Sequence, residues 1–349
     1  MPADSATVGG VWLSWRQAMQ AALYGPAGFY ARGERPAWHF RTSVHVSPRY
    51  AAALLTVLRA VDAALGQPDR LDVVDIGAGR GELLATLLTL AGTSPGLAGR
   101  LAPLAVEVAG RPDGLDPRIG WQPGLPASVT GLVIASEWLD NVPLEVAELT
   151  PTGPRLLLVE TATGEERPGP PLPAADLAWQ RRWWPLRGPG DRAEIGLTRG
   201  QAWAAAVARI SRGLAVAADF GHRRADRPRS GTLTGYREGR QVRPVPDGSC
   251  DLAAGVALDA CAAAGRAAGA TASLLTSQRL ALRALGVTGR RPPPVQAVTD
   301  PVGYARALCQ AGEEAELIDP AGLGGFGWLI QSVGIPVPPP LAGLAARQD

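Results

Sequence analysis

The sequence contains no lysine, few cysteines and no long apolar run. All 34 basic residues are arginines, dispersed among 32 acidic residues, and the net charge of +2 gives no reason to expect nucleic-acid binding. The three cysteines, Cys250, Cys261 and Cys309, lack the spacing of metal ligands, and their small odd number indicates a reduced cytoplasmic protein. No segment has the roughly 20 apolar residues of a membrane span and no signal peptide is visible, so we expect no membrane association.

The central motif of the chain is a glycine-rich turn between an apolar run and a helical pattern. The run over 71–76 leads into Gly77, Gly79 and Gly81, and leucines at 83, 84, 87 and 88 follow with helical spacing. Glycines let the backbone approach a ligand that a Cβ atom would exclude, and the N-terminus of the helix offers unpaired N–H groups. The motif therefore predicts a strand, a turn and a helix that form a nucleotide-type cofactor pocket.

The spacing of these glycines distinguishes between two cofactors. Dinucleotide-binding turns prefer G-x-G-x-x-G, whereas here Gly77, Gly79 and Gly81 alternate and Asp75 precedes them. This form resembles the first motif of class I S-adenosylmethionine (SAM) methyltransferases. That family also has an acidic residue after the second strand, and Glu107 stands at the corresponding place. We therefore predict SAM as the cofactor and keep an NAD-dependent oxidoreductase as an alternative.

Further segments resemble a single family along most of the chain. They are ALYGPAGFY at 22–30, Thr42-Ser43 after Phe40, IASEWLDNVP at 134–143, ADFG at 218–221, GTLTGYR at 231–237 and LLTSQ at 274–278. In this order they are similar to motifs of the MidA-like family of SAM-dependent methyltransferases, which includes a mitochondrial complex I assembly factor. The chain is accordingly identified as a member of that family.

The resemblance implies an α/β fold, a Rossmann-like class I methyltransferase sheet that is mostly parallel with an antiparallel last strand. We expect an N-terminal helical cap (1–65), the first half of the SAM-binding core (66–150), an inserted helical and loop region (151–212), the second half of the core (213–334) and a Pro-rich tail (335–349). The resemblance also implies methylation of a nitrogen atom on a protein substrate, with arginine as acceptor. A small-molecule acceptor and a homodimer are alternatives that the sequence leaves open.

The same resemblance implies a set of cofactor-binding residues. Asp75 would anchor the glycine turn, Glu107 would bind the ribose hydroxyl groups, and Thr42 and Ser43 would cover the methionine part of SAM. The backbone cradle of the turn would be Gly77, Ala78, Gly79 and Gly81.

Glu137 and Asp140 are the predicted catalytic residues. They follow the apolar run 131–135, which we expect to form the fourth parallel strand, and ligands of open α/β sheets bind beyond the carboxyl ends of the strands. Two carboxylates there suit an amino or guanidinium acceptor, because they can orient a cation and receive its proton. The alternative is that Asp140 only caps a helix that starts near Val142, with Pro143 in its first turn.

Several positions differ from the family pattern. Among them, His39, His45 and Ser136 replace the residues that the family motifs carry. These changes favour an alternative function, a SAM-binding assembly factor without catalysis. The two histidines have no further Cys or acidic residue nearby to complete a ligand set, so we predict no metal site.

The remaining pattern predicts local structure. We expect helices over 49–65, 82–91, 201–212, 259–268 and 278–285, and strands at 156–160, 214–218, 270–274 and 326–331. The Trp/Arg cluster 179–184 either packs an inserted helix or stacks on a nucleobase. The Arg-rich segment 223–243 is a mobile lid, a partner-docking loop or a solvated loop. His222 is a candidate general base or an idle loop residue, and the tail beyond Gly334 is expected to be partly disordered.

Overall fold

The computed structural model describes residues 10–30, 32 and 42–347, with the side chains of 345–347 left out. The described chain folds into two compact units. The core unit comprises 42–142, 199–226 and 255–347, and the accessory unit comprises 10–32, 143–198 and 227–254, without residue 31. These units cut across the five predicted segments, because residues 10–32, without residue 31, and residues 42–65 belong to different units.

The core unit is built on a seven-stranded sheet, whose strands we label β1–β7 in chain order. They are β1 (Leu71–Ile76), β2 (Leu101–Val106), β3 (Gly120–Gln122), β4 (Val129–Ser136), β5 (Ile210–Asp219), β6 (Ala272–Ser277) and β7 (Gly327–Val333). Their order across the sheet is β3-β2-β1-β4-β5-β7-β6. Strand β7 is antiparallel to both neighbours, and the other pairs are parallel. The α/β fold with an antiparallel last strand is therefore confirmed.

Helices cover both faces of this sheet. They are Ser43–Val46, Pro48–Leu65, Glu82–Ala91, Pro95–Ala98, Leu197–Val207, Leu258–Ala267, Gln278–Ala284, Gln296–Thr299 and Pro301–Leu317, with 3₁₀ turns at Leu139–Asn141, Arg224–Asp226, Leu323–Gly325 and Leu341–Arg347. A short parallel pair, Gly221–His222 with Val256–Ala257, follows β5. Helix Pro48–Leu65 shows why these bounds hold: the Ser47 hydroxyl accepts the Arg49 N–H, and Gly66 ends the helix in the left-handed region.

Alternate residues of the central strands face opposite sides of the sheet. Leu132 and Ile134 of β4 pack in the cluster that contains helix Pro48–Leu65, whereas Val133 and Ala135 pack in the cluster that contains Trp203. The parallel strands are thus buried on both faces, which explains their continuous apolar sequences.

The accessory unit contains a five-stranded sheet rather than the predicted helical and loop insertion. Its strands are Trp12–Ser14, Glu145–Thr150, Gly153–Glu160, Glu166–Pro171 and Arg192–Ile195, joined by antiparallel pairs. Helices Trp15–Tyr24 and Ala174–Trp183 and a small sheet of Thr234–Arg237, Arg240–Val242 and Asp251–Ala253 complete the unit. The strand at 156–160 was predicted, but Glu166–Pro171 was not, because prolines favour loops and are tolerated in strands mainly at edges.

Several predictions of helices, loops and disorder are wrong. The helix predicted over 201–212 is Leu197–Val207, and Ile210 instead begins β5. The 17-residue helix Pro301–Leu317 was missed, since it buries only Ala311, Glu314 and Leu317 and has a weak apolar pattern. In the tail, Ile335, Leu341 and Leu344 are buried in the core, so disorder is wrong for these residues. The segment 223–243 includes a 3₁₀ turn and two strands rather than only loop.

No helix in the described part of the chain is long and apolar enough to cross a membrane.

Candidate functional site

The glycine turn after β1 has the conformation that its sequence predicts. Gly77, Gly79 and Gly81 all have positive φ, at 70°, 58° and 83°. A Cβ atom on Gly77 would lie 2.8 Å from Cδ1 of Trp138, so any larger residue would collide with that ring. The Gly81 N–H closes the turn on the Ala78 carbonyl at 2.8 Å, and helix Glu82–Ala91 starts immediately afterwards. The turn therefore leaves backbone surface open at the carboxyl edge of the sheet, as a nucleotide cofactor requires.

Glu107 lies beside this turn, directly after β2. Its carboxylate accepts the Gly79 N–H at 3.0 Å and the Ala109 N–H at 3.0 Å. Because β1 and β2 are parallel neighbours, their carboxyl ends meet at one edge of the sheet and bring the two residues together. The arrangement fits the predicted ribose-binding role, which remains a prediction.

Asp75 is buried one residue before the end of β1, 3% exposed. Burial raises the pKa of this carboxyl well above its usual range, and the negative charges of Glu107 and Glu82 raise it further. Asp75 and Glu107 thus lie in one electrostatic environment around the glycine turn.

Thr42 and Ser43 reach the second half of the site. The Ser43 N–H donates to Oε1 of Glu137 at 2.7 Å, although the two residues are 94 positions apart. The Ser43 hydroxyl contacts the Gln278 side chain, while the Thr42 hydroxyl lies 2.5 Å from Nδ1 of His45. These contacts place Ser43 beside Glu137 and Gln278, and the role of Thr42 and Ser43 over the methionine part of SAM stays a prediction.

Glu137 follows β4 and has an unusual backbone. Its φ of 53° lies in the left-handed region, which costs free energy for a residue with a side chain, and its N–H donates to the Ala218 carbonyl at 2.7 Å. Burial raises the pKa of the Glu137 carboxyl to about 7, opposed by the Ser43 N–H and reinforced by Asp140. Strained backbone and a shifted pKa are features of a functional carboxylate.

Asp140 lies in the 3₁₀ turn Leu139–Asn141 and does not cap a helix. No helix starts at Val142, because the chain continues in extended conformation into Glu145–Thr150. The alternative capping interpretation of Asp140 is therefore wrong. Its carboxyl is 6% exposed, and within the described residues its Oδ1 has no hydrogen-bond partner.

Asp219, at the end of β5, is a third carboxylate of this site that the catalytic prediction missed. One oxygen accepts the Leu139 N–H at 2.8 Å, and the other lacks a hydrogen-bond partner among the described residues. Burial raises the pKa of Asp219 strongly, and so do the charges of Asp140 and Glu137. Its place after an apolar strand was the available sequence signal, since neighbouring parallel strands end at the same edge.

Arg199 is the buried cation beside these acids and was not predicted. Its guanidinium donates to the backbone carbonyls of Asp140, Val142 and Gly255. Its positive charge lowers the pKa of Asp140, against a larger upward effect of burial. The side chain is 1% exposed, so Arg199 holds the turn after β4 in place and partly compensates its negative charge.

Tyr50 and Ser136 lie close to this group of carboxylates. The Tyr50 hydroxyl lies 2.8 Å from the Ser136 hydroxyl, and the Tyr50 ring packs edge-on against Trp328. Burial, together with Glu137, Asp75 and Asp219, raises the pKa of the Tyr50 phenol above its usual range. Tyr50 is therefore neutral and serves as a hydrogen-bonding group.

Other sequence candidates have different surroundings. His39 lies outside the described residues, and His45 lies 3.5 Å from Glu82. His222 belongs to the short strand after β5. Among the described residues no group of three His, Cys, Asp or Glu side chains could hold a metal ion. In the accessory unit, Trp179 and Trp184 are buried, which agrees with the packing interpretation of the Trp/Arg cluster.

Comparisons with known proteins agree with this geometry. Residues 51–276 match a family described as "Putative S-adenosyl-L-methionine-dependent methyltransferase". A superfamily protein from Burkholderia thailandensis, bound to S-adenosyl-homocysteine, is 26% identical, with a TM-score of 0.78 and 95% of this chain and 90% of that chain covered. The native structure of an uncharacterised protein of the same superfamily and organism is also 26% identical, with a TM-score of 0.76 and the same coverage. No curated protein matches the chain.

The family match spans more than half of the chain and includes the glycine turn, Glu107 and Glu137. The solved structures extend the fold similarity to almost the whole length. Because the matched family depends on SAM, the alternative of an NAD-dependent oxidoreductase is wrong. The alternation of the glycines had already favoured SAM over NAD. The chain belongs to the MidA-like family of SAM-dependent methyltransferases.

Proposed function

We propose that this methyltransferase transfers its methyl group to a nitrogen atom of a protein substrate, with arginine as the acceptor. The observation that carries the proposal is the group of three carboxylates, Glu137, Asp140 and Asp219, at the carboxyl ends of β4 and β5. A cationic acceptor is the class of group that best compensates such a site.

The charge balance of the site supports a cation. Among the described residues, Arg199 is the buried arginine whose charge reaches Asp140 and Asp219, so this fixed cation faces two of the three carboxyl groups. Within the described chain, Glu137 forms no ion pair, and its hydrogen-bond donors are the backbone N–H and the side chain of Ser43. A guanidinium presents several N–H donors in one plane, and carboxylates at different angles can bind it by charge-assisted hydrogen bonds.

The residues of this chain have separable tasks in the reaction. Bound SAM would supply an electrophilic methyl group on a positively charged sulfur. The glycine turn and Glu107 would hold the cofactor at the edge where β1 and β2 end. Glu137 would orient the acceptor nitrogen, and its carboxylate would take the proton that this nitrogen loses as the new N–C bond forms. A pKa of about 7 suits a group that accepts a proton near neutral pH.

A methyl-labelling experiment tests the proposal. The purified protein is incubated with methyl-labelled SAM and a protein extract, and the labelled proteins are hydrolysed to identify the modified amino acid. We expect label in methylarginine, reduced by about 100-fold or more in Glu137→Gln, as for loss of a general base. Glu165→Gln, which removes an exposed carboxylate of the accessory unit, serves as the matched control and should retain activity.

Binding of S-adenosyl-homocysteine to each variant shows whether the cofactor pocket is intact. Label found only in methyllysine or in small molecules would contradict arginine as acceptor. Cofactor binding by the wild type without transfer to any fraction would overturn the proposal and favour a SAM-binding assembly factor.

A further inference from the structure

The helix Ser43–Val46 contacts both the cofactor turn and the catalytic carboxylate. Its first residue donates its N–H to Glu137 at 2.7 Å. Its third residue, His45, faces Glu82, the first residue of the helix that follows the glycine turn. One short segment therefore joins two parts of the active site that belong to β1 and β4.

The His45 ring is held on both nitrogens. Nδ1 lies 2.5 Å from the Thr42 hydroxyl, and Nε2 lies 3.5 Å from Oε1 of Glu82. Because an ionised carboxylate only accepts hydrogen bonds, Nε2 carries the hydrogen that points to Glu82. The Thr42 carbonyl accepts the His45 N–H at 3.0 Å, so ring and backbone fix the same turn.

Glu82 also contacts the glycine turn. Its second oxygen, Oε2, accepts the Arg80 N–H at 2.9 Å, within the turn that contains Gly79 and Gly81. Burial alone would raise the pKa of Glu82, but the His45 ring and the backbone N–H groups of Glu82 and Arg80 more than offset burial and lower it. Glu82 is therefore ionised at neutral pH and accepts a hydrogen bond from the His45 ring.

We propose that His45 is a positioning residue that couples the cofactor turn to Glu137, through Glu82 on one side and the Thr42–Ser43 backbone on the other. Movement of the glycine turn on cofactor binding is transmitted by the His45–Glu82 contact to the Ser43 N–H that orients the carboxylate. The effect on the acceptor rests on the proposed role of Glu137, whereas the effect on cofactor affinity does not.

In the described part of the chain, other charged groups also lie around this segment. Glu137 faces His45 electrostatically from the end of β4. On helix Pro301–Leu317, Glu313 accepts the Ser47 hydroxyl, and Glu314 pairs with Arg49 at 2.9 Å. Of the glutamates that touch the segment or its caps, only Glu82 is within ion-pair distance of the His45 ring among the described residues.

Calorimetric binding of S-adenosyl-homocysteine tests the coupling without an acceptor. We expect His45→Ala and Glu82→Gln each to weaken binding by about threefold to fivefold, as for loss of a partly exposed ion pair. The double variant should be no weaker than either single variant, because both remove the same contact. Glu313→Gln is the matched control, since it also neutralises a glutamate beside the segment but does not contact His45, and its affinity should stay at the wild-type value.

One further readout separates positioning from a merely structural effect. Hydrogen exchange of the segment 42–47 should slow on ligand binding in the wild type and not in His45→Ala. Unchanged affinity in His45→Ala, additive losses in the double variant, or equal protection of the segment in both proteins would each overturn the proposal.

Discussion

Glu137→Gln should make the protein more stable above neutral pH while it removes methyl transfer. Gln keeps the oxygen that accepts the Ser43 N–H, so the principal change is loss of the ionisable group. The pKa of Glu137 is raised from 4.5 to about 7 in the folded protein, mainly by burial. The folded state therefore binds the proton more tightly than the unfolded state, and the stability of the wild type falls as the pH rises between these values.

The magnitude follows from the same values. At about 1.4 kcal/mol for each tenfold change in proton affinity, ionising Glu137 costs the folded state about 3 kcal/mol above pH 7. Glu137 is partly exposed, so solvent screening reduces our expectation to about 2 kcal/mol. The difference in unfolding free energy between Glu137→Gln and the wild type should be constant below about pH 4.5 and grow to this value by about pH 8.

Urea unfolding at a series of pH values measures this difference. Because the chain has two compact units, the relevant transition is the one that S-adenosyl-homocysteine shifts to higher urea, since this ligand stabilises the core unit. Equal pH profiles for the two proteins, or a variant less stable than the wild type at pH 8, would refute the strained, desolvated carboxylate described above.

Three other changes test separate parts of the structure. Gly77→Ala should weaken S-adenosyl-homocysteine binding by at least about tenfold, measured by calorimetry, because a Cβ atom 2.8 Å from Trp138 and a φ of 70° both disfavour the turn. Glu107→Gln should also weaken this binding, with little change in melting temperature, since an amide still accepts the backbone N–H groups. Trp203→Phe should lower the unfolding free energy by about 2 kcal/mol in urea titrations, because it removes the 2.7 Å hydrogen bond to the fully buried Gln331; wild-type stability in this variant would contradict that reasoning.

The glycine turn and its flanking strand and helix could be predicted from the sequence. Helix Glu82–Ala91 has its predicted bounds, and helix Pro48–Leu65 starts one residue before the predicted position. Strand, glycine turn and helix follow each other directly in the chain, so periodicity and turn chemistry determine them. The same is true of Glu107, whose distance from the turn is set by helices Glu82–Ala91 and Pro95–Ala98 and one strand.

The second half of the site depends on contacts between distant residues. Asp219 reaches Leu139 across 80 positions, and Ser43 reaches Glu137 across 94. Sequence periodicity reports which residues share a face of one element and does not report which elements become neighbours. The role of Arg199 could not be predicted for this reason. A helical sequence pattern does not indicate that an arginine is the buried partner of three backbone carbonyls.

The proline-rich strand Glu166–Pro171 has a consequence for association between molecules. It lies at the edge of the accessory sheet and pairs only with Gly153–Glu160 among the described strands. Pro168, Pro170 and Pro171 have no amide hydrogen, so half of its residues cannot donate to a strand of another chain. A strand of another molecule could not form a continuous ladder of hydrogen bonds along this edge. This protects concentrated solutions of the protein against growth of intermolecular sheets from that side.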